Sequence, residues 1–387
     1  MGGTARQFNK MYVDYKKRFK KPLLTVAELM PLDFSDEEFV ETFKRLYPHM
    51  WEDLEKQYDF WHRKNEHLIK LGKKSRYNFR KPQNFIMDCS YYLRIKLHKN
   101  ENRKILSNEE REKTESEIFL SSQLKLKKQG EKIYQNLYYI QEIEPEYASY
   151  FINQYYHTHD LHERLEIIRE LSKYKSNRIV QFFYKVNAGT RNLSLKKESM
   201  RYIQGLGLPF VLRRKKEGKK SYIDNEMVQN ESSPEILRKR LYVDRLERKK
   251  VFDMFISHNS KDQSKIVDFF KALNRKGYVA YIDWVNDKFD LKREWCNATT
   301  AEIIKERIKQ SRIFVLYFSR QTLDSQWCPW ELGYADALGK KICIFQEGDD
   351  IPYVPEFYSV YPKLILDSEA IIKVDGQDVL FDQWIQQ

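Results

Sequence analysis

The C-terminal third of the chain predicts a flavodoxin-like, doubly wound α/β domain, fused to a mainly α-helical N-terminal region. Three observations predict it. Short apolar strands alternate with amphipathic helices from Val251 onward. Ile313–Phe318 is an unbroken apolar run, as a parallel strand covered on both faces requires. Gly277 follows directly on a helical stripe, where a left-handed residue ends a helix.

The elements of this domain follow in order. Val251–Ser257 reads as a strand that runs into the turn His258-Asn259-Ser260. Lys261–Lys276 is a helix whose inner stripe is Ile266, Phe269, Phe270 and Leu273. Tyr278–Asp283 is the second strand, and residues 284–297 form a long loop. Ala298–Gln310 is a helix with Ile303, Ile304, Arg307 and Ile308 on one stripe. After the third strand come a helix at Trp327–Leu338, a strand at Lys341–Phe345, a last strand at Leu364–Leu366 and a closing helix at Val379–Ile385.

Upstream, residues 1–34 are interrupted by Pro22 and Pro31 and predict an extended arm with some helix. Ser35 and Glu38 form a capping box ahead of Phe39, Phe43, Leu46 and Met50. Residues 104–140 predict one or two charged helices. The stripes Leu161/Leu165/Ile168/Leu171, Ile179/Phe182/Phe183/Val186 and Leu193/Met200/Ile203 predict three short helices. These resemble about two units of a HEAT-like repeat, and a plain bundle fits them equally. Pro209–Arg214 reads as a short strand and residues 223–234 as a polar linker. The expected organisation is a basic, helical sensing or oligomerisation region at 1–222, a linker and charged helix at 223–249, and the α/β domain at 250–387.

Charge is divided unevenly over the 387 residues. Residues 1–249 carry 51 Lys and Arg against 35 Asp and Glu, whereas residues 250–387 carry 18 against 21. An anionic partner, nucleic acid included, therefore belongs to the N-terminal part. The 14% aromatic share argues against disorder over most of the length. Four cysteines without a CxxC pair fit a reducing compartment. No apolar run reaches the ~18 residues of a membrane span, and the first residues lack a signal core and a myristoylation pattern. A cytoplasmic protein without membrane contact is expected.

Trp327-Cys328-Pro329-Trp330-Glu331-Leu332-Gly333 sets a carboxylate among indoles at a helix start. Read alone, Glu331 is either a first-turn carboxylate favoured by the helix dipole or an acid in a partly desolvated niche suited to a cationic ribosyl substrate. Trp327 and Trp330 are either packing residues or stacking surfaces. The histidines His157, His159 and His162 lack a fourth ligand at a recognisable zinc spacing, so the segment reads as a polar helix entry and no metal is expected there.

Phe255-Ile256-Ser257-His258-Asn259-Ser260-Lys261-Asp262, Tyr281-Ile282-Asp283-Trp284 and the Trp327–Gly333 segment, in this order, resemble the TIR (Toll/interleukin-1 receptor) domain family, especially bacterial members of Thoeris-type antiphage systems. The resemblance covers about residues 250–350. It implies cleavage of NAD+ with release of nicotinamide, leaving ADP-ribose, a cyclic isomer or another ADP-ribosyl product. The family's catalytic glutamate falls on Glu331. Phe255, Ser257, His258, Asn259, Ser260, Asp283, Trp284, Arg293, Trp327 and Trp330 are then expected around the dinucleotide. NAD+ is substrate and no resident cofactor is implied. Glu294 after Arg293 departs from the Arg-Gly pair of receptor and plant relatives, which removes the basis for transferring their loop contacts.

Three functions follow as expectations. The first is an antiviral NAD+ nucleosidase, possessing or lacking cyclase activity, assembled through TIR contacts and the helical region and switched by a phage- or host-derived activator. The second is a non-catalytic adaptor that uses the fold for homotypic assembly. The third is a nucleic-acid sensor acting through the basic region. An intact Glu331 favours the enzyme.

Overall fold

A computed structural model describes residues 3–100, 103, 105–209, 234–243, 245–287, 298–346, 348, 354–366, 370–374 and 376–386. The chain divides into two compact units, Met1–Leu137 with Phe183–Lys219, and Tyr138–Phe182 with Lys220–Gln387. Residues 138–182 thus pack with the C-terminal α/β residues.

The first unit is built from helices α1 (Gly3–Leu29), α2 (Asp36–Leu46), α3 (Pro48–Lys70), α4 (Pro82–Lys99) and most of α5 (Asn108–Tyr139). Against the expectation of an extended arm, α1 runs straight through Pro22. Met11, Tyr15, Phe19, Leu23 and Val26 fall on one helical stripe and, with Met30 just beyond the helix, enter an aromatic core. That burial outweighs the lost backbone hydrogen bond. The Ser35–Glu38 capping box forms at the head of α2. Residues 104–140 supply one helix rather than two. Helices α7 (Leu161–Leu171), α8 (Asn177–Gly189) and α9 (Leu193–Gly205) carry the three remaining predicted stripes, and α6 (Ala148–His157) precedes them without having been predicted. Asp160 caps α7 through the His162 backbone amide, a structural role within the histidine-rich turn. Residues 210–233, which include most of the predicted strand at 209–214 and of the polar linker at 223–234, lie outside the described residues.

In the second unit, α10 (Pro234–Val243) precedes a seven-stranded mixed sheet in the order β2-β1-β3-β4-β5-β6-β7. The strands are β1 (Phe252–Ser257), β2 (Ala280–Tyr281), β3 (Ser311–Phe318), β4 (Lys341–Gln346), β5 (Lys363–Leu366), β6 (Ala370–Val374) and β7 (Gln377–Leu380). The first five pair in parallel; β6 and β7 add antiparallel. The sequence reading missed β6 and merged β7 into a closing helix, whereas the helix, α15, spans only Phe381–Gln386. The second strand is also shorter than read, because the chain turns at Asp283 into a single helical turn, α12 (Asp283–Asn286).

Side-chain alternation splits the sheet into two faces. Met254, Ile256, Ile313, Val315, Tyr317 and Cys343 meet Ile266, Val267, Phe269, Phe270 and Leu273 of α11 (Gln263–Arg275). Gly277 ends α11 at φ +94°, and the Tyr278 amide reaches back to the Leu273 carbonyl, as the left-handed cap requires. On the other face Phe255 lies flat between Tyr281 and Phe314, with ring centroids 5.3 and 5.6 Å away. Helices α13 (Ala298–Gln310) and α14 (Trp327–Ala337) contact β1 and β3.

A buried ionic network joins residues 147–174 to this sheet. Arg307, fully buried on α13, donates twice to Asp287 at 2.9 and 3.1 Å and once to Glu247 at 2.9 Å. Lys250 bridges Glu247 and Glu170 at 2.8 and 2.7 Å, and the Tyr147 hydroxyl links Glu170 to Tyr174. Asn286 donates to the Tyr174 hydroxyl and Tyr281 to Asp287. Burial alone would raise the carboxyl of Glu170, but Lys173 and Lys250 hold it down at about 2. Asp287 is likewise held below its ordinary value by Arg307, against the effect of burial.

Candidate active site

Strand β1 is flanked by β2 on one side and β3 on the other, so the chain reverses its direction of winding there. The crevice beyond the carboxyl ends of β1 and β3 is where open α/β sheets bind ligands. Ser257 is the last residue of β1, and Glu331 sits in the first turns of α14, the helix after β3. The Ser257 hydroxyl donates to Glu331 Oε2 at 2.5 Å. Both are buried, at 1% and 8% relative exposure.

Helical spacing brings Glu331 inward. Cys328, Glu331, Leu332 and Ala335 form the buried face of α14. Trp327 and Trp330 meet each other edge to face at 5.4 Å, Trp330 stacks on Tyr334, and Lys305 lies over the rings of Trp330 and Tyr334. Trp330 is 36% exposed. The picture of a carboxylate held between two indoles is therefore corrected: the fold end and helix packing desolvate Glu331, and the indoles line an adjoining, more open face. Burial pushes the Glu331 carboxyl up to about 8; the Ser257 hydrogen bond opposes this and the Asp283 charge adds to it. Burial, with Glu331 nearby, pushes the Cys328 thiol up to about 12, which disqualifies it as a thiolate nucleophile.

The remaining predicted residues fall into four groups. His258 and Trp284 are joined by a 2.7 Å bond from the indole N–H to Nε2, while Nδ1 faces the Ile256 carbonyl at 3.2 Å. With the indole N–H donating to Nε2, the ring proton that meets the Ile256 carbonyl is the one on Nδ1. Trp284 also meets Tyr139 edge to face. Asp283 stands beside them, its carboxylate 3.9 Å from His258 Nε2 and hydrogen-bonded to the Trp284 amide. Asn259 caps the turn Ser260–Asp262, and its amide donates to the Gln321 carbonyl at 2.6 Å. Phe255 is a core residue beneath the crevice rather than at its surface. Arg293, with the whole of 288–297, lies outside the described residues.

Sequence reasoning missed the residues that fix the crevice walls. Ser319 donates to Asp262 at 2.6 Å and forms a capping box with Thr322, which ties the loop after β3 to the loop after β1. The Ser-x-x-Thr spacing directly after an apolar strand was the available signal. Arg307 had a signal too, as a cation on an otherwise apolar helical stripe.

A single substitution tests the Ser257–Glu331 bond. Ser257→Ala removes a donor that favours the ionised carboxylate, so the Glu331 pKa rises further. Any reaction that needs the carboxylate should lose rate several-fold at about pH 7.5 and recover toward about pH 9; a pH–rate profile with an unmoved midpoint refutes this coupling.

Residues 254–362 match the family described as TIR domain. The chain is 32% identical over 359 residues to a protein of Cytobacillus dafuensis named putative cyclic ADP-D-ribose synthase TIR2, covering 90% of this chain and 93% of that one. It is 31% identical over 153 residues to a protein of Bacillus cereus (strain MSX-D12) named probable 3' cyclic ADP-D-ribose synthase ThsB', covering 36% and 79% respectively.

Proposed function

The chain belongs to the TIR domain family of cyclic ADP-ribose synthase relatives, and from that premise we propose that it cleaves the nicotinamide–ribose bond of NAD+ and cyclises the ADP-ribosyl product in Thoeris-like antiphage defence. The observation that carries the catalytic reading is Glu331, a buried carboxyl at the mouth of the sheet, oriented by Ser257. An adaptor has no use for a carboxyl desolvated in this crevice.

Nicotinamide leaves as a neutral base from a pyridinium cation, so bond breaking needs no strong general acid. The need is for negative charge beside an oxocarbenium-like ribose, and for acceptors that orient its hydroxyls. A desolvated carboxylate does both. Its raised pKa is compatible with this role because the nicotinamide ring of the substrate is a pyridinium cation, which favours the ionised carboxylate when placed beside it. His258, held by the Trp284 indole, supplies a fixed wall of the crevice. Once nicotinamide has gone, retention of the ribosyl centre in a water-poor crevice favours attack by a group of the same molecule over hydrolysis.

The reaction so written uses NAD+ as substrate and calls for no resident cofactor. We further propose a cytoplasmic protein that works as a homo-oligomer under the control of an activator; among the described residues no helix is long and apolar enough to cross a membrane. Incubating purified protein with NAD+ over a range of protein concentrations tests the reading. Nicotinamide should appear in step with a product that has the mass of ADP-ribose minus water, resolved by chromatography and mass spectrometry. Formation of ADP-ribose alone would reduce the activity to hydrolysis, and equal turnover by Glu331→Ala would remove the assignment of the carboxyl.

A further inference from the structure

Helix α5 presents its charge and its leucines in a palindromic order. One face is committed to its own unit: Ser122 is buried, Ile118 packs against the aromatic core, Glu115 is held by Arg45 and Arg111, and Ile133 closes on Gly207. The opposite face carries Lys113, Glu117, Leu120, Leu124, Lys127 and Glu131, all exposed. Their spacings alternate between four and three residues, which is the seam of a heptad pattern. Leu120 and Leu124, 62% and 57% exposed, stand next to each other at the centre of this face.

We propose that this face is a docking surface for a second copy of the chain, with the two α5 helices antiparallel about a two-fold axis that passes midway between Leu120 and Leu124. In that arrangement Leu120 meets Leu124 of the second copy, Glu117 meets Lys127, and Lys113 meets Glu131, each contact occurring twice. The residue order reads as its own charge complement in both directions, which is the condition for an isologous interface. A parallel pair would set Lys113 against Lys113 and Glu117 against Glu117. A partner of single-sign charge would be repelled by one half of the stripe. The four charged residues make no ion pair within the chain among the described residues.

Four leucines and four exposed ion pairs make a weak, salt-sensitive dimer, with a dissociation constant on the order of micromolar. Such an interface assembles chains when local concentration rises. It acts through the helical unit and is independent of whether Glu331 is catalytic.

A charge swap on the full chain, read by sedimentation, tests the proposal. Lys127→Glu creates two like-charge contacts and should weaken dimerisation about tenfold or more. Adding Glu117→Lys restores opposite charges between copies and should return the constant to within about threefold of wild type. Within one helix the double variant sets two cations four residues apart, at positions 113 and 117, and two carboxylates four apart, at positions 127 and 131. Recovery therefore cannot come from a repaired helix. Circular dichroism confirms that each variant folds. A wild-type chain that stays monomeric at about 100 µM overturns the proposal. So does a dimer indifferent to Lys127→Glu, or a double variant no better than the single one.

Discussion

Glu331→Gln should lower nicotinamide release by about a thousandfold or more while leaving the fold intact. Glutamine keeps the volume and an acceptor for the Ser257 hydroxyl, but it offers the ribosyl centre no negative charge. The same substitution should raise thermal stability in a pH-dependent manner. The carboxyl titrates at about 8 in the folded chain against an ordinary 4.5, so the folded state holds the proton more tightly than the unfolded one. Stability associated with that proton is complete below pH 4.5 and is lost as pH rises through about 8. Wild type and Glu331→Gln should therefore melt together at about pH 5, and the variant should melt at least about 5 °C higher at about pH 9. Parallel melting curves across this range would place the carboxyl in contact with water and remove the physical basis of the catalytic reading. In kinetics, kcat/KM should rise with pH toward a midpoint near 8, and the kcat midpoint should lie lower, because bound NAD+ brings a positive charge to the carboxylate.

The second large effect is structural. Arg307→Met should destabilise the α/β unit by about 3–5 kcal/mol, since it leaves Asp287 and Glu247 buried without their shared counter-charge. A drop of roughly 10 °C in melting temperature is the expected reading. Arg307→Lys retains the charge and gives up the paired geometry toward Asp287, so its loss should be smaller. The carboxylates of the network add an acid limit of the opposite sign to that of Glu331. Glu170 and Asp287 sit below their ordinary values, so their contribution is present at neutral pH and disappears as pH falls toward about 2. If Arg307→Met melted like the wild type, the network would be a consequence of packing rather than a cause of it.

The α/β alternation was legible because each parallel strand is buried on both faces and each helix on one, which imposes distinct periods on the sequence. Strands β1, β3 and β4 and helices α13 and α14 were visible for this reason. Strands β6 and β7 were not: both are short, β7 lies at the sheet edge with β6 next to it, and only one residue of β6 and none of β7 is buried, so the burial pattern is weak. The path of α1 through Pro22 was missed because local propensity was read without the aromatic core that overrides it. At the site, the Trp-Cys-Pro-Trp-Glu segment located Glu331, yet helical phase, not proximity in sequence, decides what surrounds it. Counting about one hundred degrees per residue from Cys328 would have placed Trp330 nearly opposite the buried face. The partner that orients Glu331 comes from a strand 74 positions away, and no local pattern encodes such a pairing.

Lys250, the residue at which composition changes along the chain, is also one of its most deeply enclosed cations. A fragment trimmed to begin there would strip away Glu170, Glu247 and Tyr147, and with them the anionic shell around the ammonium group and one partner of Arg307. The excised sheet would start with an uncompensated charge beside its first strand. Any autonomous catalytic piece must therefore keep the Tyr138–Phe182 helices as well, although they stand far upstream of every motif that announces the reaction.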